Sequence, residues 1–206
     1  MKKVLIINDT SSECHHGCDL VMTNLRKILT KYNVRTFSVF SGKTLIENKN
    51  LIKKLDNIDL VLINGEGTLN NSQERAKNII KDLIYLKENY NFPVVLINST
   101  IYRNNSFIMK NLKLFDLIYV RSSLDKELLF KHRIVSKVVP DISFYAFPKI
   151  IYKNKKDNKN FSITDSYSNL VSENFLKFSK KYNFNFLPIR RDPKLNSLNL
   201  FKILSF

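Results

Sequence analysis

Leu60-Val61-Leu62-Ile63-Asn64-Gly65-Glu66-Gly67-Thr68 is the stretch that decides the fold of this chain. The apolar run Leu60 to Ile63 reads as a strand buried on both faces, and it stops abruptly at Asn64. Two glycines then flank one carboxylate, and a helical pattern opens at about Ser72. Glycine is scarce, 4 in 206 residues; two lie in this turn, and Gly17 lies in the loop after the first strand. Glycine placed so sparingly at strand ends implies positive φ or close approach of a ligand to the main chain. The plainer alternative is a tight strand-to-helix turn with no ligand.

Working outward, the same pattern repeats. Lys3 to Ile7 reads as a first strand, followed by the loop Asn8 to Gly17. A helix is predicted from about Cys18 to Tyr32, with Leu20, Val21, Leu25, Ile28, Leu29 and Tyr32 on one face. Val34 to Phe40 is a second strand, and a short helix spans about Glu47 to Leu55. After the central strand, Ser72 to Tyr90 carries Ala76, Ile79, Ile80 and Leu83 at helical spacing. Strands are predicted at Val94–Ile97, Leu117–Val120 and Lys137–Val139, separated by helices near Asn104–Lys113 and Leu124–Lys131. Strands alternating with helices indicate a parallel, doubly wound α/β sheet.

The segment 148–160 is rich in Lys and Asn and loses periodicity, so it reads as a linker between residues 1–147 and a second unit, 161–206. That second unit opens with a strand at Phe161–Thr164. A helix follows with Val171, Phe175, Phe178 and Tyr182 on one face, then a strand at Phe184–Ile189 and a helix start at Leu198–Leu204. This is too little to close a core of its own. The second unit is therefore expected to be incomplete, with Phe175, Phe178, Phe184, Phe186 and Phe201 partly exposed, open to a partner chain that would complete it.

The composition adds bounds. Hydrophobic residues make up 44% and aromatic residues 12%, enough for a real core. A net charge of +16 points to an anionic partner, whether nucleic acid, an anionic membrane surface or acidic sugars, or else to a generic lysine coat. Two cysteines cannot build a disulfide framework, which places the chain in a reducing cytosol. The opening apolar run is cut at Asn8-Asp9, too short for a signal peptide core. No run approaches the ~18 apolar residues a membrane span needs, which leaves peripheral association with the inner membrane face.

In an open parallel sheet the carboxyl ends of the strands share one edge, where ligands bind. Here that rim collects His15-His16-Gly17, Gly65-Glu66-Gly67-Thr68, Ser99-Thr100, Arg121-Ser122 and Asp141. Cys14, His15, His16 and Cys18 fit no standard zinc spacing, so no metal is expected. The Gly-Glu-Gly turn is not a dinucleotide fingerprint and lacks a P-loop lysine, so no cofactor is expected either. Ser11 and Ser12 have no nucleophile elbow around them.

The combination resembles the polysaccharide pyruvyl transferase family. The likeness rests on Asn8-Asp9-Thr10-Ser11 with His16-Gly17-Cys18, and on Asn64-Gly65-Glu66-Gly67-Thr68-Leu69. It continues through Asn98-Ser99-Thr100, Arg121-Ser122 and Asp141-Ile142-Ser143-Phe144, covering about residues 4–145. It implies two facing Rossmann-like domains, a GT-B-like architecture, and transfer of a pyruvyl group from phosphoenolpyruvate to a sugar of a surface polysaccharide such as a capsule. Glu66 and His16 are the candidates for proton transfer. Asp9, Thr10, His15, Gly17, Asn64, Gly65, Gly67, Thr68, Ser99, Thr100, Arg121, Ser122 and Asp141 are candidate substrate contacts. Asp165, Ser166, Arg190 and Arg191 match the opening of the second domain. The family's late Arg-x-His motif has no counterpart after residue 160, which implies a truncated remnant or half of a split enzyme. Two other readings are a GT-B-like glycosyltransferase using a nucleotide-activated donor, and a basic nucleic-acid or membrane-surface binding module. The module reading lacks a visible recognition helix, RNA-binding aromatics or zinc finger.

Overall fold

The computed structural model describes residues 1–146, 162–165 and 169–190. They divide into two compact units. One is Met1–Ser12 with Val21–Ala146; the other gathers Glu13–Leu20 with the described residues after Ala146. The expected linker 148–160, Ser166, Arg191, Phe201 and the last helix start lie outside the described residues.

In the first unit the described strands are β1 (Lys3–Asp9), β2 (Arg35–Phe40), β3 (Leu60–Glu66), β4 (Val94–Ser99), β5 (Leu117–Val120) and β6 (Lys137–Val138). They pair in parallel as one six-stranded sheet, in the order β2-β1-β3-β4-β5-β6. The intervening helices are α1 (His16–Lys31), α2 (Lys49–Ile52), α3 (Glu74–Asn89), α4 (Ser106–Asn111) and α5 (Ser123–Lys131). The Rossmann-like α/β expectation therefore holds. The strand order adds what periodicity cannot: winding reverses between β1 and β3, and such a switch point opens a crevice at the strand ends.

Strand alternation explains the double winding. Leu5, Ile7, Val61, Ile63, Val94 and Leu96 face one core, with Ala76, Ile79, Ile80 and Leu83 of α3. Val4, Ile6, Leu62 and Val95, one residue out of step, face the other, with Val21, Met22, Leu25 and Leu29 of α1. A strand buried on both faces has to be apolar throughout, which is why β1 and β3 read as unbroken runs.

The structure corrects several expected positions. Leu20 and Tyr32 are exposed rather than on the buried face of α1. The buried stripe is Val21, Met22, Leu25 and Leu29, and Tyr32 lies past the helix end, its N–H donating to Leu29 O. The predicted Glu47–Leu55 helix is a single turn, α2, with Asn48 as its cap, followed by a 3-10 turn at Leu55–Asn57. On α3, Asp82 is almost fully buried, and both its carboxylate oxygens accept the Leu45 N–H, at 3.0 and 2.9 Å. This carboxylate anchors the loop that follows β2.

In the second unit β7 (Ser162–Thr164) and β8 (Asn185–Leu187) pair in parallel beside α6 (Asn169–Lys181). Here the expected partial exposure of the aromatic residues is seen. On α6, Ser172 and Ser179 are buried, while Phe175, Phe178 and Tyr182 are exposed. Phe178 and Tyr182 instead pack on each other, ring centroids 4.5 Å apart. Phe184 and Phe186 are half-buried. No helix among the described residues is long and apolar enough to cross a membrane.

Candidate active site

β1, β3 and β4 each place an asparagine near the carboxyl end: Asn8, Asn64 and Asn98, all buried. Asn8 (φ 61°) and Asn98 (φ 53°) adopt left-handed backbone, which asparagine tolerates better than most residues. Asn8 Nδ2 donates to Asn64 O at 2.6 Å and to Thr68 Oγ1 at 3.1 Å, locking the β1 end onto the β3 turn. Asn64 Nδ2 donates to Glu66 Oε1 at 2.8 Å, and Thr10 Oγ1 donates to the same oxygen at 2.7 Å. Glu66 is therefore oriented from both strands that flank the switch point. It is itself the left-handed residue of this turn, at φ 40°, a strained conformation for a residue with a Cβ.

The turn glycines have a different explanation from the one expected. A Cβ on Gly65 would lie 2.4 Å from Ser99 Oγ and 2.9 Å from Ser99 Cα, so the adjacent strand forces glycine there. Gly67 faces open space within 4 Å, and positive φ falls on Glu66.

Asp9 is fully buried in its side chain. It accepts from Ser11 N (3.1 Å) and Ser11 Oγ (2.7 Å), and it pairs with Arg26 of α1 at 2.5 Å. The end of β1 is thus tied to the helix that follows.

A second cluster stands on the same rim one strand further on. Arg121 donates from Nε and Nη2 to Thr100 Oγ1, at 3.0 and 2.6 Å, and from Nη1 to Asp141 Oδ2 at 2.7 Å. Burial opposes ionisation of Asp141, but the Ser143 N–H and the Arg121 guanidinium outweigh it and hold the carboxyl below its ordinary pKa. The two clusters meet at the β3–β4 junction, where Thr100 N donates to Glu66 O at 2.9 Å. The loop carrying Asp141 is pinned on two sides: Asn24 Nδ2 donates to Ile142 O and Ser143 O, and Ile142 N donates to Asn98 Oδ1. Buried polar atoms without a partner among the described residues gather here too: Asn64 Oδ1, Asn98 Nδ2 and Ser99 Oγ. Such atoms are rare in folded proteins, and at a strand-end crevice they suit a bound polar molecule.

Of the residues singled out by sequence, Asp9, Thr10, Asn64, Gly65, Glu66, Gly67, Thr68, Ser99, Thr100, Arg121 and Asp141 share this rim. Ser122 is engaged as the cap of α5, its Oγ accepting from Asp125 N at 3.1 Å. His15, His16 and Gly17 belong to the second unit. There His15 Nδ1 accepts from Gly17 N at 3.1 Å, and His16 N donates to Ile189 O at 3.0 Å. Asp165 accepts from Ile189 N (2.6 Å) and Arg190 N (3.1 Å), closing the end of β8, and Arg190 bridges to His15. Among the described residues no group of three His, Cys, Asp or Glu side chains is placed to hold a metal ion. Sequence reading missed Asn8, Asn98, Asn24 and Arg26 as parts of the site. The first two had a signal, the repeated ending Ile-Asn of β1, β3 and β4.

The family model for polysaccharide pyruvyl transferase matches residues 15–204. This chain belongs to the polysaccharide pyruvyl transferase family. Within that pyruvyl transferase match lie β3 to β6, Glu66, Arg121 and Asp141, together with the described residues of the second unit from His15 onward. The end of β1 precedes the match, so Asp9 and Thr10 join the site on geometry alone. No curated protein matches the sequence.

Proposed function

We propose that this chain transfers a pyruvyl group from phosphoenolpyruvate to a sugar of a cell-surface polysaccharide, with the β1–β3–β4–β5 rim as its active site. The observation that carries the reading is the Arg121 fork, held by Thr100 and Asp141 on the same rim as the doubly anchored Glu66. Phosphoenolpyruvate brings a phosphate and a carboxylate, and a planar guanidinium matches either in two-point geometry. Thr10, Thr68 and Thr100 add hydroxyl contacts for the donor or the sugar. Glu66 carries the proton transfer. Protonation of the donor's methylene carbon makes its neighbouring carbon electrophilic, and two sugar hydroxyls add there as phosphate leaves. Of the two hydroxyl protons, one ends on the new methyl group and the other on the departing phosphate.

The test is ligand choice. Phosphoenolpyruvate should raise the melting temperature of the full chain by mass action, and Arg121→Lys should weaken that binding by about 10-fold or more. Stabilisation by a nucleotide sugar and not by phosphoenolpyruvate would replace this reading with that of a glycosyltransferase.

A further inference from the structure

A groove of about 790 Å³ runs along α1, lined by Thr23, Arg26, Lys27, Thr30, Lys31 and Tyr145. Among these described lining residues three side chains are cationic and the other three carry hydroxyls. The groove is joined to the rim at two points. Arg26, on its wall, is the partner of Asp9 at the end of β1. Tyr145, which also lines it, belongs to the 3-10 turn Ile142–Ala146, directly after the Asp141 that holds Arg121. Its ring is fixed beneath Lys31, whose Nζ lies 5.1 Å from the centroid. A hydrogen bond to Tyr145 raises the Lys31 pKa above its ordinary value.

We propose that this groove binds an acidic oligosaccharide, the anionic stretch of the acceptor glycan, and leads it along α1 toward Asp9 and Glu66. The acceptor role rests on the function proposed above; the binding chemistry does not. Cations spaced along a concave wall suit carboxylate, phosphate or sulfate groups repeated along a chain. Threonine and tyrosine hydroxyls between them suit the hydroxyls of the sugars. The volume lies within the range of ~300–1,000 Å³ typical of small-ligand clefts. A membrane surface fits less well, because the hydroxyls of Thr23, Thr30 and Tyr145 set between the cations pair with sugar hydroxyls and add nothing to a lipid contact.

The test uses the full chain and two labelled probes followed by fluorescence anisotropy: a galacturonic acid hexamer and the neutral maltohexaose. The acidic hexamer should bind at least about 10-fold tighter. Lys27→Gln with Lys31→Gln should remove about 10-fold of that affinity. The charge-matched control Lys110→Gln with Lys113→Gln, on exposed positions elsewhere, should leave it nearly unchanged. All four substitutions lie on the surface, and an unchanged melting temperature verifies folding. Equal binding of the two hexamers, or equal loss in both double variants, would reduce the effect to net charge and overturn the proposal. Anionic phosphatidylglycerol vesicles bound more tightly than the hexamer, and lost in the Lys27/Lys31 variant alone, would overturn it in favour of a membrane contact. Phosphoenolpyruvate stabilisation of that variant is read separately. Its absence from the wild-type chain, with hexamer binding intact, counts against the transferase reading and not against the groove.

Discussion

Asp82 sets up a pH dependence with a sign and a size. Burial pushes its pKa from 3.8 up to about 6, only partly opposed by the Leu45 and Ile46 N–H groups, and Glu47 adds to the rise. Below about pH 4 the group is neutral in both folded and unfolded chains and costs nothing. Above about pH 6 it is charged in both, and the fold bears the whole cost of a carboxylate out of water. With ~1.4 kcal/mol for each pH unit between the two values, that cost is about 3 kcal/mol, developing between pH 4 and 6. Asp82→Asn removes the charge. It also leaves one amide N–H to be satisfied, a pH-independent penalty of ~1–3 kcal/mol. The quantity to measure is therefore the change with pH in the melting-temperature difference between variant and wild type. From pH 4 to pH 7 this difference should move in favour of D82N by roughly 6–12 °C for a domain of this size. Thermal melts at half-unit pH steps, followed by circular dichroism, give the curve. Parallel curves, or a difference that moves the other way, would refute the reasoning that desolvation dominates at this site.

Other perturbations give equally definite expectations. Gly65→Ala drives a Cβ against Ser99 and should cost about 1–3 kcal/mol in urea unfolding, with Ser99→Gly in the same chain recovering part of the loss. Arg26→Met leaves the Asp9 carboxylate buried without its cation; because Arg26 is itself 41% exposed, the loss should be about 1–2 kcal/mol, read by the same unfolding assay. Asp141 carries a depressed pKa, so its contribution is present above the ordinary carboxyl range and fades as pH falls through its folded pKa. Asp141→Asn should therefore narrow its stability deficit against wild type on acidification, and should weaken phosphoenolpyruvate binding severalfold at pH 7 by loosening Arg121.

How far the sequence could be read is clearest strand by strand. β1 and β3 announce themselves because burial on both faces demands unbroken apolar runs, and α3 because Ala76, Ile79, Ile80 and Leu83 follow the helical period. The order of the strands was hidden, since it depends on which crossovers turn back, and no local pattern records that. On α6 the aromatic residues Phe175 and Phe178 fall at helical spacing yet are exposed, as expected of a unit with too few elements to close a core. Its buried positions include Ser172 and Ser179, which are silent on any hydrophobicity scale. At the site, Glu66, Arg121 and Asp141 stood out as charged residues at strand ends. Asn24 and Arg26 did not, because a polar residue inside a helix gains meaning only once the loop or carboxylate it reaches is known. The role of Gly65 was equally hidden: the atom that forbids a side chain there belongs to Ser99, a strand away.

The central claim is tested most directly by turnover. The full chain is mixed with phosphoenolpyruvate labelled with carbon-13 in its methylene carbon and with an oligosaccharide cut from a pyruvylated surface polysaccharide after acid removal of its ketals. The account predicts phosphate release that depends on the oligosaccharide, a new labelled ketal methyl signal in its carbon NMR spectrum, and loss of both by at least about 100-fold in Glu66→Gln. Phosphate release at the same rate without the oligosaccharide, or ketal formation undiminished in Glu66→Gln, would contradict it.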